Sequence, residues 1–167
     1  IDLAPKAVGD IIYLLGETKD ELGASEYYDH LGRTGSNVPE TDGHQNLRLY
    51  KLYTRAARDR LIASAYALNH GGLGAALAKK AIAGQMGMDI NINNLTLSAT
   101  KALYSESTGR ILVTVAPQNK EKFLKNFKGF EQLYEIGHVA HSQNLHIKNV
   151  LKIDITKLDE AYKAPLK

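Results

Sequence analysis

Two short, mainly apolar runs constrain the fold of this chain more than any other feature. Ile11–Leu15 lies between Gly9-Asp10 and Gly16, and Ile111–Val115 follows Gly109-Arg110. Runs of five residues bounded by turn residues are typical of strands buried in a sheet. Because helical patterns alternate with such runs, the sequence predicts an α/β (α+β) fold, a mixed sheet flanked by helices, rather than a helical bundle.

The remaining pattern predicts the element order βααβαβαβαβββα in one compact domain over residues 1–167. With 44% hydrophobic residues, a chain of 167 residues can bury one core. Leu49, Tyr50 and Tyr53 recur at helical spacing and predict a buried helix face. Helices are predicted over 25–31, 45–61, 73–83, 117–127 and 156–162, and further strands over 61–68, around 90–92, and over 133–139, 145–147 and 150–153.

Composition excludes several functional classes. The 21 Lys and Arg nearly balance 18 Asp and Glu and are scattered along the sequence, so we expect no nucleic-acid partner. The chain lacks Cys, which excludes disulfides and thiolate chemistry and fits a reducing compartment, the cytoplasm. Polar residues and glycines interrupt the uncharged stretch 61–78, so no membrane span is expected. The opening at Ile1 without a signal pattern suggests a piece of a longer chain.

The first segment that could carry chemistry is the loop after the first strand, residues 16–27. A loop that turns into a helix exposes backbone N–H groups that favour a phosphate, here near Thr18, Lys19 and Ser25. The spacing fits neither a Walker loop nor a dinucleotide fingerprint. The favoured alternative is a solvated acidic turn in which Ser25 caps a helix.

Two further segments are candidates for binding a polar ligand. Gly71 and Gly72 end a strand at a predicted helix start, where open α/β sheets hold ligands, although paired glycines also simply make tight turns. Ser105, Glu106, Ser107 and Arg110 precede a strand and could orient a ligand or only cap backbone ends.

The histidines do not predict a metal site. His138 and His141 lie three residues apart near His146, and residues three apart in a strand point to opposite faces. We therefore expect no metal ligand, and no residue stands out as catalytic.

Over these same segments the chain resembles the large subunit of phosphoribosylformylglycinamidine synthase, in the last domain of its second half. The similarity is densest over residues 9–27 and continues through 61–65, 71–73 and 103–113 to the closing segment 158–166. It covers essentially the whole chain. The implied fold is the C-terminal domain of the aminoimidazole ribonucleotide synthetase-related superfamily.

The resemblance implies a ligase of de novo purine biosynthesis. Such an enzyme uses ATP, magnesium and glutamine-derived ammonia to convert formylglycinamide ribonucleotide to formylglycinamidine ribonucleotide. It implies as partners the N-terminal synthetase-related domains of the same protein, a glutaminase subunit or domain, and a small-molecule nucleotide substrate. The family's magnesium ligands and most of its ATP contacts lie in those N-terminal domains, so we expect no cofactor on this chain alone.

The sequence departs from the family at one turn. The family usually has a His and two carboxylates before its Gly-Gly pair, whereas this chain has Tyr66, Ala67 and His70 there. Two hypotheses follow: a domain that lines the nucleotide cleft of a synthase, or a non-catalytic scaffold or interaction domain of the same superfamily.

Overall fold

Alternating side chains make β1 (Ile11–Leu15) an interior strand of the sheet. Ile12 and Leu14 point to one face and Tyr13 and Leu15 to the other, and all four are fully buried. In the computed structural model, which describes residues 1–166, the other strands are β2 (Ser64–Ala67), β3 (Gly87–Ile90), β4 (Ile111–Val115), β5 (Leu133–Ala140), β6 (Asn144–Ile147) and β7 (Leu151–Asp154).

Over the described residues the strands form one seven-stranded sheet in the order β2-β4-β1-β5-β3-β6-β7. Neighbouring strands are antiparallel, except that β3 and β6 run parallel. The helices are α1 (Glu26–His30), α2 (Gly43–Arg58), α3 (Gly72–Gly84), α4 (Ala99–Tyr104), α5 (Lys120–Asn126) and α6 (Ile155–Lys163).

Helices cover the two faces of the sheet unequally. Helices α3, α4 and α6 pack on the face of Ile12 and Leu14, in a core that extends to β3, β5 and β6. On the other face, α2 and α5 cover Tyr13 and Leu15 together with the apolar residues of β4. The mixed sheet flanked by helices that the sequence predicted is confirmed.

The predicted element order is confirmed, and β1 and β4 have the predicted bounds. Both strands are short apolar runs, and every residue of β4 is buried. The predicted helix 117–127 is divided: Pro117–Asn119 forms a 3-10 turn and α5 begins at Lys120.

Helix α2 and strands β2 and β3 depart further from prediction; β3 spans Gly87–Ile90, whereas the sequence predicts a strand around 90–92. Helix α2 begins at Gly43 because Asp42 caps it, accepting from the Gln45 N–H at 3.0 Å, and it ends at Arg58 because Arg60 takes a left-handed φ of 55°. Tyr50, predicted on its buried face, is 44% exposed, and Ala56 is buried instead.

Strand β2 is shorter than the predicted strand 61–68 and is not enclosed. It lies at the edge of the sheet, and Ala65 and Tyr66 are only partly buried. Leu61 and Ile62, which suggested a longer strand, are buried before the strand begins.

The charges of the folded chain are grouped, although the basic residues are scattered along the sequence. Residues 43–60 and 120–128 contain nine Lys and Arg against Asp59 and Glu121. These segments hold α2 and α5, which cover the same face of the sheet. That side of the molecule is therefore basic.

A buried lysine ties α3 to the start of the chain. Lys80 is fully buried, and its ammonium donates to the Leu3 carbonyl at 2.9 Å and to Ser64 Oγ at 2.7 Å. Ser64 Oγ is also hydrogen-bonded to Thr114 Oγ1 at 2.7 Å. Burial lowers the pKa of Lys80 to about 8, and nearby Asp2 acts in the opposite direction.

Among the helices of the described part of the chain, none has the length and apolar character needed to cross a membrane.

Leu112→Ala should destabilise the 167-residue chain by about 2–5 kcal/mol, because Leu112 is fully buried in β4. Urea unfolding measures the loss. The matched control is Leu124→Ala on α5, where the side chain is 40% exposed and the expected loss is below about 0.5 kcal/mol. Equal losses for the two variants would contradict the placement of β4 in the core.

Lys80 should make stability depend on pH in a defined window. Below pH 8 the lysine is charged in both states; between about 8 and 10.5 it is neutral in the folded chain and charged in the unfolded one. The unfolded state then binds more protons, so stability relative to Lys80→Met rises across this window. Urea unfolding of both proteins at pH 7 and pH 10 measures the difference. Parallel profiles would show that Lys80 titrates normally.

Candidate functional site

The three candidate segments meet at one end of the sheet, where β1 and β2 finish and β4 begins. Strand register explains this: Leu15 at the end of β1 and Ala67 at the end of β2 both pair with Ile111, the first residue of β4. The loop after β1, the turn after β2 and the loop before β4 are therefore neighbours. The structure brings the sequence-predicted residues into one cluster.

Arg110 is the centre of this cluster. Its side chain is buried, and the guanidinium donates to the Ser107 carbonyl at 2.9 Å, the Ser105 carbonyl at 2.6 Å and Thr18 Oγ1 at 3.0 Å. Burial lowers the pKa of Arg110 to about 10, and the charges of Glu21 and Glu106 oppose the shift. Arg110 therefore holds the two loops together from inside the protein.

Both serines of the loop before β4 bind the loop after β1. Ser107 Oγ accepts from the Lys19 N–H at 3.0 Å, and Ser105 Oγ accepts from the Glu21 N–H at 3.2 Å. These hydroxyls satisfy backbone donors. The side chain of Lys19 takes no part in these hydrogen bonds and is only partly buried.

Ser25 caps α1, as the favoured interpretation of the sequence predicted. Its hydroxyl accepts from the Tyr28 N–H at 3.3 Å and donates to the Leu22 carbonyl at 2.7 Å. The side chain is buried.

Glu106 joins two helix starts. One carboxylate oxygen accepts from the Glu26 N–H at 2.9 Å, in the first turn of α1, and from the Gly71 N–H at 2.8 Å, at the start of α3. Its other oxygen lies 3.7 Å from His70 Nδ1. A negative charge at a helix N-terminus is stabilising. The protein's own carboxylate thus occupies the position that the sequence suggested for a ligand anion.

The Gly-Gly turn is required by close packing. Gly71 and Gly72 have φ values of 82° and 62°. A Cβ on Gly72 would lie 2.6 Å from the Ser105 carbonyl oxygen. The Gly72 N–H donates to the Asn69 carbonyl at 3.0 Å. The N–H groups of both glycines are therefore used within the protein.

A groove of about 590 Å³ opens beside Glu106 between α1, α3 and the β7–α6 corner. We call it the tyrosine groove, because Tyr27 and Tyr104 stack on its wall with ring centroids 4.6 Å apart. Gly71 and Gly74 also line it, and Gly74 lies directly against the Tyr104 ring. The remaining lining is mainly aliphatic, with Glu26 and His30 at one end.

Sequence reasoning missed several members of this region. Tyr27 and Tyr104 are 77 positions apart in the sequence, and nothing in their local patterns links them. The sequence predicts Glu21 in a solvated acidic turn, but the residue is only 5% exposed. Its neighbourhood depends on long-range packing that periodicity does not report.

Two of the histidines share a neighbour that their spacing in the sequence does not indicate. His138 and His146 lie on one sheet face on either side of Asp89, at 3.7 and 3.0 Å from its carboxylate. The shared neighbour comes from β3, which the spacing of the histidines could not indicate. Over residues 1–166, no three His, Asp or Glu side chains converge as a metal site requires.

Residues 7–148 match the family described as AIR synthase related protein, C-terminal domain.

The chain belongs to this family.

Two curated relatives of this chain are PurL subunits of phosphoribosylformylglycinamidine synthase. The phosphoribosylformylglycinamidine synthase subunit PurL of Methanocaldococcus jannaschii is 32% identical over 161 residues, covering 92% of this chain and 22% of that protein. The corresponding subunit of Carboxydothermus hydrogenoformans is 31% identical, covering 99% of this chain and 24% of that protein. The chain thus spans about a quarter of the length of these relatives.

Solved structures share the fold. PurL of Thermotoga maritima complexed with FGAR matches with a TM-score of 0.80 at 18% identity, covering 95% of this chain and 29% of that chain. The hydrogenase maturation protein HypE of E. coli matches with a TM-score of 0.64 at 17% identity, covering 91% of this chain and 50% of that chain. Because these two proteins carry different names and roles, the fold alone does not select a function.

Glu106→Ala should destabilise the chain by about 1–3 kcal/mol, because it leaves the N–H groups of Glu26 and Gly71 without their charged acceptor. Urea unfolding measures the loss. Glu131→Ala removes an exposed carboxylate and is the control, with an expected change within about 0.5 kcal/mol. If both variants unfold alike, Glu106 does not join the two helix starts in solution.

Proposed function

We propose that this chain is the C-terminal domain of a phosphoribosylformylglycinamidine synthase. The whole enzyme converts formylglycinamide ribonucleotide to formylglycinamidine ribonucleotide in purine biosynthesis, using ATP and ammonia derived from glutamine. The observation that carries the proposal is that PurL subunits align with 92% and 99% of this chain, including all three loops of the cluster. The fold match to Thermotoga maritima PurL supports it.

We propose that most catalytic groups for this reaction lie in the N-terminal synthetase-related domains of the full-length enzyme. Arg110, Thr18, Ser25, Ser105 and Ser107 are buried and bonded to other parts of this chain. In our proposal they fix the loops, and ATP and magnesium bind the N-terminal synthetase-related domains of the full-length enzyme. Structures of Thermotoga maritima PurL with ATP, AMPPCP and ADP support nucleotide binding by the whole protein.

The surface offered to the substrate cleft is the tyrosine groove together with Lys19. The groove lies beside the Gly71-Gly72 turn, and Lys19, in the loop after β1, lines a separate concavity together with Glu17 and Ser107. An N-terminal synthetase-related domain would supply the opposite wall of the cleft. In this arrangement Tyr27 and Tyr104 shape the wall and Lys19 attracts an anionic group of the nucleotide.

The enzyme would also require a source of ammonia. We infer a glutaminase subunit or domain as a partner, in the cytoplasm. The solved PurLQS assembly of Thermotoga maritima supports a multi-subunit organisation.

A scaffold domain of the same superfamily is the second candidate. It is favoured by Tyr66, Ala67 and His70, which stand where the family usually has a His and two carboxylates. A domain without these groups and with its polar side chains internally bonded could serve only to hold its neighbours.

The assay that separates the candidates uses the full-length protein that contains this chain. We expect phosphate release from ATP that depends on formylglycinamide ribonucleotide and on glutamine or ammonium. The 167-residue chain alone should release no phosphate above a buffer blank, and release by it would contradict our division of labour.

A substitution in the groove tests the domain's own contribution. Tyr104→Leu should raise KM for formylglycinamide ribonucleotide about tenfold, which is roughly 1.4 kcal/mol of binding. Tyr162→Leu, at a 57% exposed position outside the groove, should leave KM unchanged. Unchanged KM in folded Tyr104→Leu would favour the scaffold function.

A further inference from the structure

The outer surface of helix α2 has basic residues and no acidic ones. Its 16 residues include four Lys and Arg and no Asp or Glu. Surface helices of soluble proteins usually intersperse both signs, because like charges three or four positions apart destabilise a helix. Lys51 and Arg58 each stand at that distance from Arg55. The helix therefore keeps a charge pattern that lowers its own stability.

Helix α5 extends this surface. The Asn126 side chain donates to the Leu52 carbonyl of α2 at 2.9 Å, and Asn119, just before α5, donates to the Arg60 carbonyl at 3.4 Å. We call the surface that α2 and α5 expose together the basic face. Its exposed charges without an ion pair are Lys51, Arg55 and Arg58 on α2 and Lys122, Lys125 and Lys128 in and just after α5.

The charges of the basic face are not neutralised by the protein itself. Among residues 1–166, no carboxylate lies within 4.0 Å of any of these six side chains. Residues 43–60 and 120–128 hold nine Lys and Arg against two acids, whereas the rest of the chain holds twelve against sixteen. The positive charge of the chain is therefore concentrated on one side. A surface of one sign attracts and orients partners of the opposite sign.

Apolar side chains lie exposed among these charges. Leu47 and Tyr50, one turn apart on α2, are 53% and 44% exposed, and Leu124 of α5 is 40% exposed. Leu47 and Tyr50 line a shallow depression of about 460 Å³ along α2, with Arg55 and Arg58 beside them. The helix macrodipole accounts for basic residues in the last turn of α2. It does not account for the uncovered leucine and tyrosine next to them.

This combination fits a protein partner better than a nucleic acid. Protein interfaces are enriched in Tyr and Arg, and their centres are apolar. Contacts to a phosphate backbone use cations, hydroxyls and amides, and they give an exposed leucine no partner. The surface that complements the basic face therefore carries Asp or Glu around a few apolar side chains.

We propose that the basic face is a docking surface for a partner protein whose contact surface combines Asp or Glu with apolar side chains. The partner's carboxylates pair with Lys51, Arg55 and Arg58, and its apolar side chains cover Leu47 and Tyr50. The 16 residues of α2 span about 24 Å, so the contact is small and the association is weak and salt-dependent. The tyrosine groove lies on the opposite face of the sheet, so this docking is independent of the proposed reaction.

Binding of a defined peptide to the full-length protein tests the proposal. The probe is a fluorescein-labelled amphipathic helical peptide with a leucine stripe flanked by glutamates, and its control has lysine in place of every glutamate. Fluorescence anisotropy should show saturable binding of the glutamate peptide, weakened by added NaCl, and no binding of the lysine peptide. Labelled poly-glutamate of the same charge and a labelled DNA duplex should bind at least tenfold more weakly.

Variants of the full-length protein locate the binding. The double variant Arg55→Glu/Arg58→Glu and, separately, Tyr50→Ser should each raise Kd for the glutamate peptide about tenfold. The matched control Lys148→Glu/Lys152→Glu reverses two exposed lysines outside the basic face and should leave Kd unchanged. All five positions are exposed, and urea unfolding checks that each variant is folded. If the Arg55/Arg58 variant does not fold, Tyr50→Ser carries the test.

Three results would overturn the proposal. The first is the absence of saturable binding of the glutamate peptide to the full-length protein. The second is equal or tighter binding of poly-glutamate or of the DNA duplex, which would indicate general attraction to anions or a nucleic-acid surface. The third is an unchanged Kd in the folded variants of the basic face, or an equal loss in the control. Because the readout is peptide binding, failure of the proposed enzyme activity leaves the result interpretable.

Discussion

The buried guanidinium of Arg110 is the interaction on which the loop end of this domain depends. A charged group can be removed from water only if its donors are satisfied, and here two main-chain carbonyls and the Thr18 hydroxyl do so. Each of these partners belongs to a loop without regular structure. The guanidinium therefore determines the shape of the loops, and through them the positions of Lys19, Glu21 and Glu106.

The strand order explains why the loop before β4 contacts both the loop after β1 and the turn after β2. With β4 between β1 and β2, the ends of β1 and β2 lie beside the start of β4, and one loop before β4 contacts both neighbours. Helix α3 then starts directly above this loop, with Gly72 packed against its backbone. The tyrosine groove lies beside this junction.

Local pattern was sufficient for much of the fold. β1 and β4 were predicted to the residue because their apolar runs are short and bounded, and the start of α1 was predicted to within one residue because Ser25 is a strong cap. The end of α2 was missed because a left-handed turn at Arg60 follows it. The exposure of Tyr50 was missed because the fully buried positions of α2 are Leu49 and Ala56.

The candidate site, like the fold, was only partly predictable from the sequence. Residues 105–110 were singled out from the sequence because they combine hydroxyls, a carboxylate and an arginine, and in the structure they do form a cluster. Their partners could not be predicted, because Thr18, Glu21, Glu26 and Gly71 reach them only through the strand register. The sequence resemblance named the family, and the contacts then indicated that most of these polar groups hold the loops.

The carboxylate of Glu106 has a consequence for how such domains diverge. One oxygen accepts from main-chain amides in the first turn of α1 and at the start of α3, so a single side-chain atom satisfies donors from two distant segments. A relative that loses the acid at this position must find another acceptor for both amides at once, or rebuild the turn before α3. Position 106 therefore requires a side chain that can accept from both amides, and a change there leaves two helix starts without an acceptor at the same time.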